Sequence, residues 1–419
     1  MKTNNKLVLG FFGFGVVGEG VYKVIGQTPS LSARIKKVCI KNPDKPRNAP
    51  RELFTTDANE LLNDPEINII VEMINDSDAA FNIVSTAMKN GKNVVSASKK
   101  MIAEHLPELL ALQKETGLSL LYEAACCASI PVIRNLEEYY DNDLLHSISA
   151  VVNGSTNYIL SKMFEEKLTF KNALLQAQQL GFAESDPTLD VDGYDALNKW
   201  TFLLTHAYGI IPEKGQLVFT GIQNINEQDA AVGAQKDCVI RLTAYAKKLK
   251  TGKVAAFVLP RFVKQDDLLA FIKNEFNGVV IESSFADKQF FYGKGAGSYP
   301  TASAVLSDIS ALRYGYKYEY KKLYHHEQGV LTNDFFVKVY VGFTDWKYVR
   351  KDEFESVEEW NSNNKVNYLV GIIHFKKLFQ SDWWKKNGVS LVLTSDPIIE
   401  SLDVVRLKKR SLELAGYTG

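Results

Sequence analysis

Short apolar runs alternate with amphipathic stretches through roughly the first 120 residues. Residues 6–12 (KLVLGFF) form a short apolar run, as a strand buried on both faces does. Glycines follow, and VVGEGVYKVIGQ then carries its apolar positions at helical spacing. KKVCI at 36–40 predicts a second strand, ended by the breaker-rich NPDKPRNAP. INIIVEMI at 67–74 predicts a third, and DAAFNIVSTAMKNG a helix stopped at Gly91. KNVVSAS, LPELLALQKETG and LSLLYEA continue the alternation as strand, helix and strand. Strands alternating with helices predict a parallel, doubly wound sheet.

The pattern then changes. LHSISAVVNGSTNYILSKMFEE reads as a strand running into a helix, and FKNALLQAQQLG and GYDALNKWTFLLTHAYG as two more helices. KGQLVFTG, KVAAFVLPRFV, NGVVIESS and KQFFYG are strand-like, which predicts an α+β segment with mostly antiparallel strands. A helix, TASAVLSDISALRYG, follows the glycine-rich GKGAGSYP. From about 320 the chain turns aromatic and lysine-rich, with a strong strand in DFFVKVYVGF and a helix followed by a strand in SDWWKKNGVSLVLTSD. These last hundred residues are expected to form a small separate module.

Composition narrows the function classes. The chain has 419 residues, more than one compact core holds at about 150 residues per domain. Forty-nine basic residues balance forty-nine acidic ones, with no basic excess of the kind a nucleic-acid binder shows. No uninterrupted apolar stretch of about 18 residues predicts a membrane span. The glycine-studded N-terminal run contains Glu19 and no Ala-x-Ala site, so it reads as strand and turn rather than secretion signal. Four cysteines without a Cys-x-x-Cys pattern fit a reducing, cytoplasmic setting.

Gly13-Phe14-Gly15-Val16-Val17-Gly18 fits G-x-G-x-x-G between a buried strand and a helix. Gly13 permits the tight turn, Gly15 lets a pyrophosphate approach the backbone, and Gly18 lets the helix pack close. The helix start would present free N–H groups to phosphates. At the end of the second strand, where an acid would bind the ribose of NAD, stand Lys41 and Asn42, with Lys45 and Arg47 nearby and Asp44 the only acid. A cation there suits the 2′-phosphate of NADP; NAD stays open as the alternative.

A nicotinamide site needs a proton donor for the carbonyl it reduces. None of the six histidines (105, 146, 206, 325, 326 and 374) ends an early strand, so the candidates are lysines. Lys99 follows the fourth strand, where ligands gather in such sheets. Lys199 lies four residues after Asp195 on a helix, close enough for the carboxylate to orient the ammonium. GFAESDPTLDVDGYD adds Glu184, Asp186, Asp190 and Asp192. For any one of these charges a solvated surface role is the simpler reading, but the cluster interrupts apolar helices and suits a substrate that carries an ammonium.

At these residues a family resemblance emerges. GFGVVG, GKNVVSASK, VVNGSTNYIL, LGFAESDPTLDVDGYDALNK and GAGSYPTASAVLSDI, in this order, resemble the motifs of the homoserine dehydrogenases across about residues 7–315. The resemblance implies reversible reduction of L-aspartate 4-semialdehyde to L-homoserine by NAD(P)H, in the threonine, methionine and isoleucine branch of biosynthesis. It implies Lys199 and Lys99 at the reacting oxygen with Asp195 in support. Glu184 and Asp190 would hold the substrate ammonium, and Gly154 and Thr156 would line the pocket. The residues of the glycine turn, Ile74, Asn75 and Gly297 would touch the cofactor, and Lys99 would reach it too. A monovalent cation, Na+ or K+, would sit on Glu123, Cys126, Ala128 and Ile130. Three departures stand out: Cys127 and Ser129 replace glycines in CCASIP, Phe182 replaces a tyrosine, and ASK replaces ANK. The paired cysteines read as small buried apolar residues rather than a redox pair.

The implied fold class is α/β, a Rossmann-type doubly wound sheet plus an α+β substrate and dimerisation domain and a C-terminal ACT-like module. The expected boundaries are 1–148 for the NAD(P)-binding domain, completed by a returning segment near 295–318, then 149–294, then 320–419. The implied partners are a small-molecule substrate, a second copy in a homodimer or higher oligomer, and an amino-acid effector. Nucleic acid and membrane are not expected. The alternatives are another NADP-dependent semialdehyde reductase, or a catalytically silent nucleotide-binding regulator of the same fold.

Overall fold

The computed structural model describes residues 6–141, 144–325, 327–362 and 367–402. The chain divides into two compact units: Met1–Asp143 with Asn198–Ile211 and Gly293–Gln328, and Leu144–Leu197 with Pro212–Tyr292 and Gly329–Gly419. Among the described residues no helix is long and apolar enough to cross a membrane.

In the first unit β1 (Leu7–Phe12) is buried at every position, as its apolar run requires. It joins β2 (Ala33–Cys39), β3 (Phe54–Thr55), β4 (Ile69–Glu72), β5 (Asn93–Ser96) and β6 (Leu120–Leu121) in a parallel sheet ordered β3-β2-β1-β4-β5-β6. The strand order reverses between β1 and β4, the switch point where sheets of this kind bind ligands. The helix Val16–Gln27 follows β1 and packs against the returning helix Ser298–Leu312. A Cβ on Gly20 would meet the Ser298 Oγ at 2.5 Å, so that approach requires glycine.

The second unit is built on a mixed sheet. Its strands are β7 (Leu145–Val151), β8 (Val218–Phe219), β9 (Cys238–Lys248), β10 (Val254–Lys264), β11 (Phe276–Ser283), β12 (Asp287–Lys294), β13 (Phe336–Phe343), β14 (Phe354–Ser362), β15 (Asn367–His374) and β16 (Val389–Ile399). Among the described residues the order is β12-β11-β7-β9-β10-β16-β13-β15-β14, with β8 paired to β10.

The terminal strands differ from the separate module expected from about 320. β16-β13-β15-β14 are antiparallel neighbours, with the helix Phe375–Gln380 between β15 and β16. That is the order of a split β-α-β arrangement, with the first helix reduced to the 3-10 turns Trp346–Tyr348 and Lys351–Glu353. β16 also pairs with β10 at Arg261↔Leu393, so the tail extends the unit's own sheet. The reason is hydrophobic: Phe257 and Leu259 of β10 share one core with Val339, Phe375, Trp384 and Leu391. A tail folded as a separate body would return that surface to water. Asp229 adds a polar tie, accepting from the Tyr340 hydroxyl at 2.9 Å, the Ser390 hydroxyl at 2.8 Å and the Asn226 N–H at 2.9 Å. Its burial pushes its carboxyl up to about 6.

Candidate functional site

The glycine turn in the first unit separates three tasks. Gly13 has φ +96°, and a Cβ there would meet the Met73 carbonyl at 2.8 Å. A Cβ on Gly18 would lie 2.6 Å from the Gly13 carbonyl, so this glycine sets how close the helix comes to the turn. Gly15 differs from both: nothing lies within 4 Å of its Cβ position. It is the N-cap of the helix Val16–Gln27, and no side chain caps that start. Val16 is exposed. Unfilled space above uncapped N–H groups is what a pyrophosphate requires, so these residues fit a dinucleotide. Phe14 lies under the turn, its ring edge-on to Phe54 and Tyr22.

At the β2 end a cavity of about 620 Å³ is lined by Asp44, Lys45, Arg47, Arg51 and Phe54 among others. Arg47 lies over the Phe54 ring and donates to the Lys45 carbonyl. Lys41 is exposed and is not part of that lining. At the β4 end Glu72 is fully buried, accepting from the Ile74 N–H at 2.7 Å and the Ser96 hydroxyl at 2.6 Å. Burial pushes its carboxyl up to about 7. Glu72 therefore shapes the strand end that carries Ile74 and the exposed Asn75. Gly297 has φ +113° and is the N-cap of Ser298–Leu312.

Both lysines belong to the first unit. Lys99 is exposed and opens the short helix Lys99–Glu104 after β5. Lys199 is 5% exposed, on the helix Tyr194–Tyr208. Burial and the neighbouring Cys127 push the Cys126 thiol well up, and the charge of Lys199 pulls it partly back. Two turns further along the same helix, His206 lies in a buried polar cluster. Its Nδ1 pairs with Glu137 at 2.5 Å and its Nε2 with the Tyr122 hydroxyl at 2.8 Å. Tyr122 in turn meets Tyr320 at 2.9 Å. Glu137 also accepts the N–H groups of Glu319 and Tyr320. The cluster fixes the far end of the lysine-bearing helix.

Two of the expected cation ligands, Glu123 and Ile130, accept hydrogen bonds within the chain. Glu123 is buried, and its two carboxylate oxygens accept the Ile133 and Arg134 N–H groups at 2.8 and 3.0 Å, capping the helix Val132–Glu138. Burial and the neighbouring Asp308 push its carboxyl up to about 7. The Ile130 carbonyl accepts the Val132 N–H, and Ala128 has a left-handed φ of +44°. Among the described residues no group of three or more His, Cys, Asp or Glu could hold a metal ion. Two accepted N–H bonds leave a carboxylate further lone pairs, so the helix cap does not preclude a cation on Glu123.

The acid-rich half lies in the second unit, where it is organised by a residue the sequence reading passed over. Asn153 caps the helix Gly154–Glu165, accepting the Thr156 N–H at 2.8 Å. Its Nδ2 donates to Asp190 at 2.6 Å and to Asp195 at 2.8 Å. One amide thus gathers two carboxylates. The signal was present, since Asn directly before an apolar-periodic run is an N-cap signature. Thr156 is buried and its hydroxyl donates to the Asn153 carbonyl, so it supports the helix start. A Cβ on Gly154 would meet the Glu275 carbonyl at 2.5 Å. Glu184 is exposed, and its carbonyl accepts from Gln178. Ser155 donates to the Phe182 carbonyl at 2.6 Å, tying the helix start to the acidic loop. The Phe182 ring packs against Tyr158.

The family model for homoserine dehydrogenase matches residues 131–310, and that for the homoserine dehydrogenase NAD binding domain matches residues 13–123. The homoserine dehydrogenase of Bacillus subtilis (strain 168) is 34% identical over 313 residues, covering 73% of this chain and 72% of that protein. The Synechocystis enzyme is 36% identical over 311 residues, covering 72% of each. A homoserine dehydrogenase structure from Thiobacillus denitrificans superposes with TM-score 0.81 at 25% identity, covering 93% of this chain and 98% of that one. A hyperthermophilic archaeal homoserine dehydrogenase in complex with NADPH superposes with TM-score 0.64 at 27% identity, covering 74% and 99%. With both family models, the relatives' identity and a nucleotide-ready glycine turn in agreement, this chain belongs to the homoserine dehydrogenase family, oxidoreductases that interconvert L-aspartate 4-semialdehyde and L-homoserine.

Proposed function

We propose that NADPH is the preferred cofactor of this enzyme and that Lys199, Lys99 and the acidic group of the second unit carry the chemistry. The observation that carries the reading is the burial of Lys199: an ammonium 5% exposed, on the unit that also holds the glycine turn. When bound, the dihydronicotinamide supplies the hydride. As the aldehyde is reduced, negative charge grows on its oxygen. Lys199 stabilises that charge and delivers the proton, with Lys99 as the second cation. A cation held out of bulk water acts more strongly on a charge that exists only in the transition state. Asn153 keeps Asp190 and Asp195 at fixed places. Asp190 and Glu184 take the substrate ammonium, and Asp195 supports Lys199. Lys45, Arg47 and Arg51 line the cavity after β2 and suit a 2′-phosphate. No step is routed through a monovalent cation.

Two finer readings concern the tail and the assembly. The split β-α-β order of β13–β16 supports an ACT-like tail that takes an amino acid such as threonine, tested by titrating threonine into the assay of the full chain. The family resemblance supports a homodimer or larger homo-oligomer, tested by light scattering.

The decisive experiment follows NADPH and NADH oxidation with aspartate semialdehyde in wild type and Lys199→Ala. The variant is expected to lose about a thousandfold in kcat while its affinity for NADPH holds. Near-normal turnover would remove the role of Lys199. Equal kcat/KM for the two cofactors would remove the NADPH preference.

A further inference from the structure

The adjacent pair Cys126-Cys127 is left unused by the reaction. Both thiols are buried, at 1% and 0% exposure, and their sulfurs lie 3.5 Å apart. They follow Glu123 in the loop after β6. Two chemistries can join neighbouring thiols, and geometry separates them. A disulfide requires Cα atoms at least about 4.4 Å apart. Consecutive residues across a trans peptide are held at about 3.8 Å, so oxidation would strain this loop. Two sulfurs on one soft centre, each about 2.3 Å from it, lie about 3.8 Å apart at a tetrahedral angle and closer at the narrower angle of a pyramidal centre. The observed spacing is within a few tenths of that, so chelation needs little movement of the sulfurs.

We propose that Cys126 and Cys127 form a chelating dithiol site for trivalent arsenicals, and that its occupation inhibits the enzyme by displacing the loop after β6, at the carboxyl edge of the parallel sheet where such sheets bind ligands. The inhibitory half rests on the function proposed above. With an aryl arsine oxide the step balances without a redox change. Two S–H bonds break, two As–S bonds form, the oxygen leaves as one water with the two protons, and arsenic stays trivalent. The site needs an opening, because both thiols are covered. The loop offers one: Ala128 holds a left-handed φ of +44°, a strained conformation for a residue with a Cβ, and Ser129 beside it is exposed. Ser129 is tied to the Lys294 carbonyl through its N–H at 3.3 Å and its hydroxyl at 3.0 Å. Release of those two bonds would let the strained turn swing out.

The test treats the full chain with phenylarsine oxide and reads intact mass and NADPH-linked turnover in parallel. The expected result is one arsenical per chain, lost turnover, and reversal by dimercaptopropanol but not by mercaptoethanol. Peptide mapping should place the adduct on the segment holding Cys126 and Cys127. Cys126→Ser and Cys127→Ser should each bind about a hundredfold more weakly, since the second bond is then no longer intramolecular. Cys39→Ser should bind as wild type does. Failure of wild type to bind, or an adduct mapped to Cys39 or Cys238, would overturn the site. An adduct on the pair with turnover intact would overturn the inhibitory half. Mass is read independently of turnover, so a failure of the site is distinct from a failure of the catalytic reading.

Discussion

Two helix starts in the first unit pose the same electrostatic problem and solve it in opposite ways. After β1 the helix Val16–Gln27 begins at Gly15 with no side-chain cap and nothing within 4 Å of the Cβ position. After β6 the helix Val132–Glu138 begins with its Ile133 and Arg134 N–H groups held by the buried Glu123. Every helix start leaves N–H groups unsatisfied and a positive dipole end. Where the chain supplies its own carboxylate, the start is a structural joint. Where it withholds one and leaves room, the start can take an anion from outside. The second unit holds an intermediate case, since Asn153 caps its helix with one atom and holds two carboxylates with the other.

The comparison breaks most visibly at Gly15. Its backbone has φ −87°, and an added Cβ would have nothing within 4 Å. Gly15→Val is therefore expected to fold as wild type does yet lose about a thousandfold in NADPH affinity, about 4 kcal/mol. Calorimetric titration beside a melting curve checks this; NADPH affinity within tenfold of wild type would mean that the open start is not the phosphate site. The opposite outcome is expected at the closed start. Glu123→Ala strands two buried N–H groups and should cost about 3 kcal/mol of stability by denaturant titration. NADPH affinity should stay within about twofold. A large change in cofactor affinity without loss of stability would show that Glu123 serves the site instead of the helix.

Much of this contrast can be read in the chain itself, and the unreadable part has a physical cause. The glycine turn is legible because its residues act on neighbours a few positions away. β1, the helix 16–27 and the helix 77–89 follow unbroken or periodic apolar patterns. β9 was not legible, because Arg241 and Thr243 stand inside it, buried and donating to the Ala270 and Leu259 carbonyls. LSLLYEA forms only a two-residue strand, since Tyr122 leaves the ladder for the hydroxyl cluster with His206 and Tyr320. The expected helix at 381 is a single 3-10 turn, Trp383–Lys385, with both of its tryptophans buried in the core of the tail. The His206 cluster joins residues 69 and 84 positions apart, and no local pattern announces such a partnership. Lys199, Lys99 and the acids were legible as residue types, whereas the amide that gathers Asp190 and Asp195 needed the fold.

Asn153 sharpens the comparison at its intermediate case. Aspartate caps a helix about as well as asparagine, so Asn153→Asp should keep the Thr156 N–H satisfied. It removes both amide donors and sets a third carboxylate against Asp190 and Asp195. The expected loss is about thirtyfold in kcat/KM for the semialdehyde, about 2 kcal/mol, with NADPH affinity unchanged. Steady-state kinetics varied in each substrate separates the two. Equal losses on both sides would mean that Asn153 acts through general stability.

The last effect is read as a slope against pH and belongs to a second closed start. The helix Glu227–Gln235 begins in a capping box of Asn226 and Asp229, and Asp229 also holds Tyr340 and Ser390 of the terminal strands. Its folded carboxyl is raised to about 6 from an ordinary 3.8, burial being the main cause. Between those values the folded chain binds a proton that the unfolded chain has released. Stability from this group is therefore full below the unfolded value, falls as pH rises through the window to about 6, and is level above it. The slope is at most about 1.4 kcal/mol per pH unit. Asp229→Asn cannot titrate, so the wild type's stability relative to the variant should decline from about pH 4 to about pH 6 and then run parallel. Melting curves taken in steps across that range measure the difference. A difference that rises with pH would mean that the hydroxyl and N–H donors around Asp229 favour its ionised form over its buried neutral one, making this closed start a true anion site filled by the chain itself.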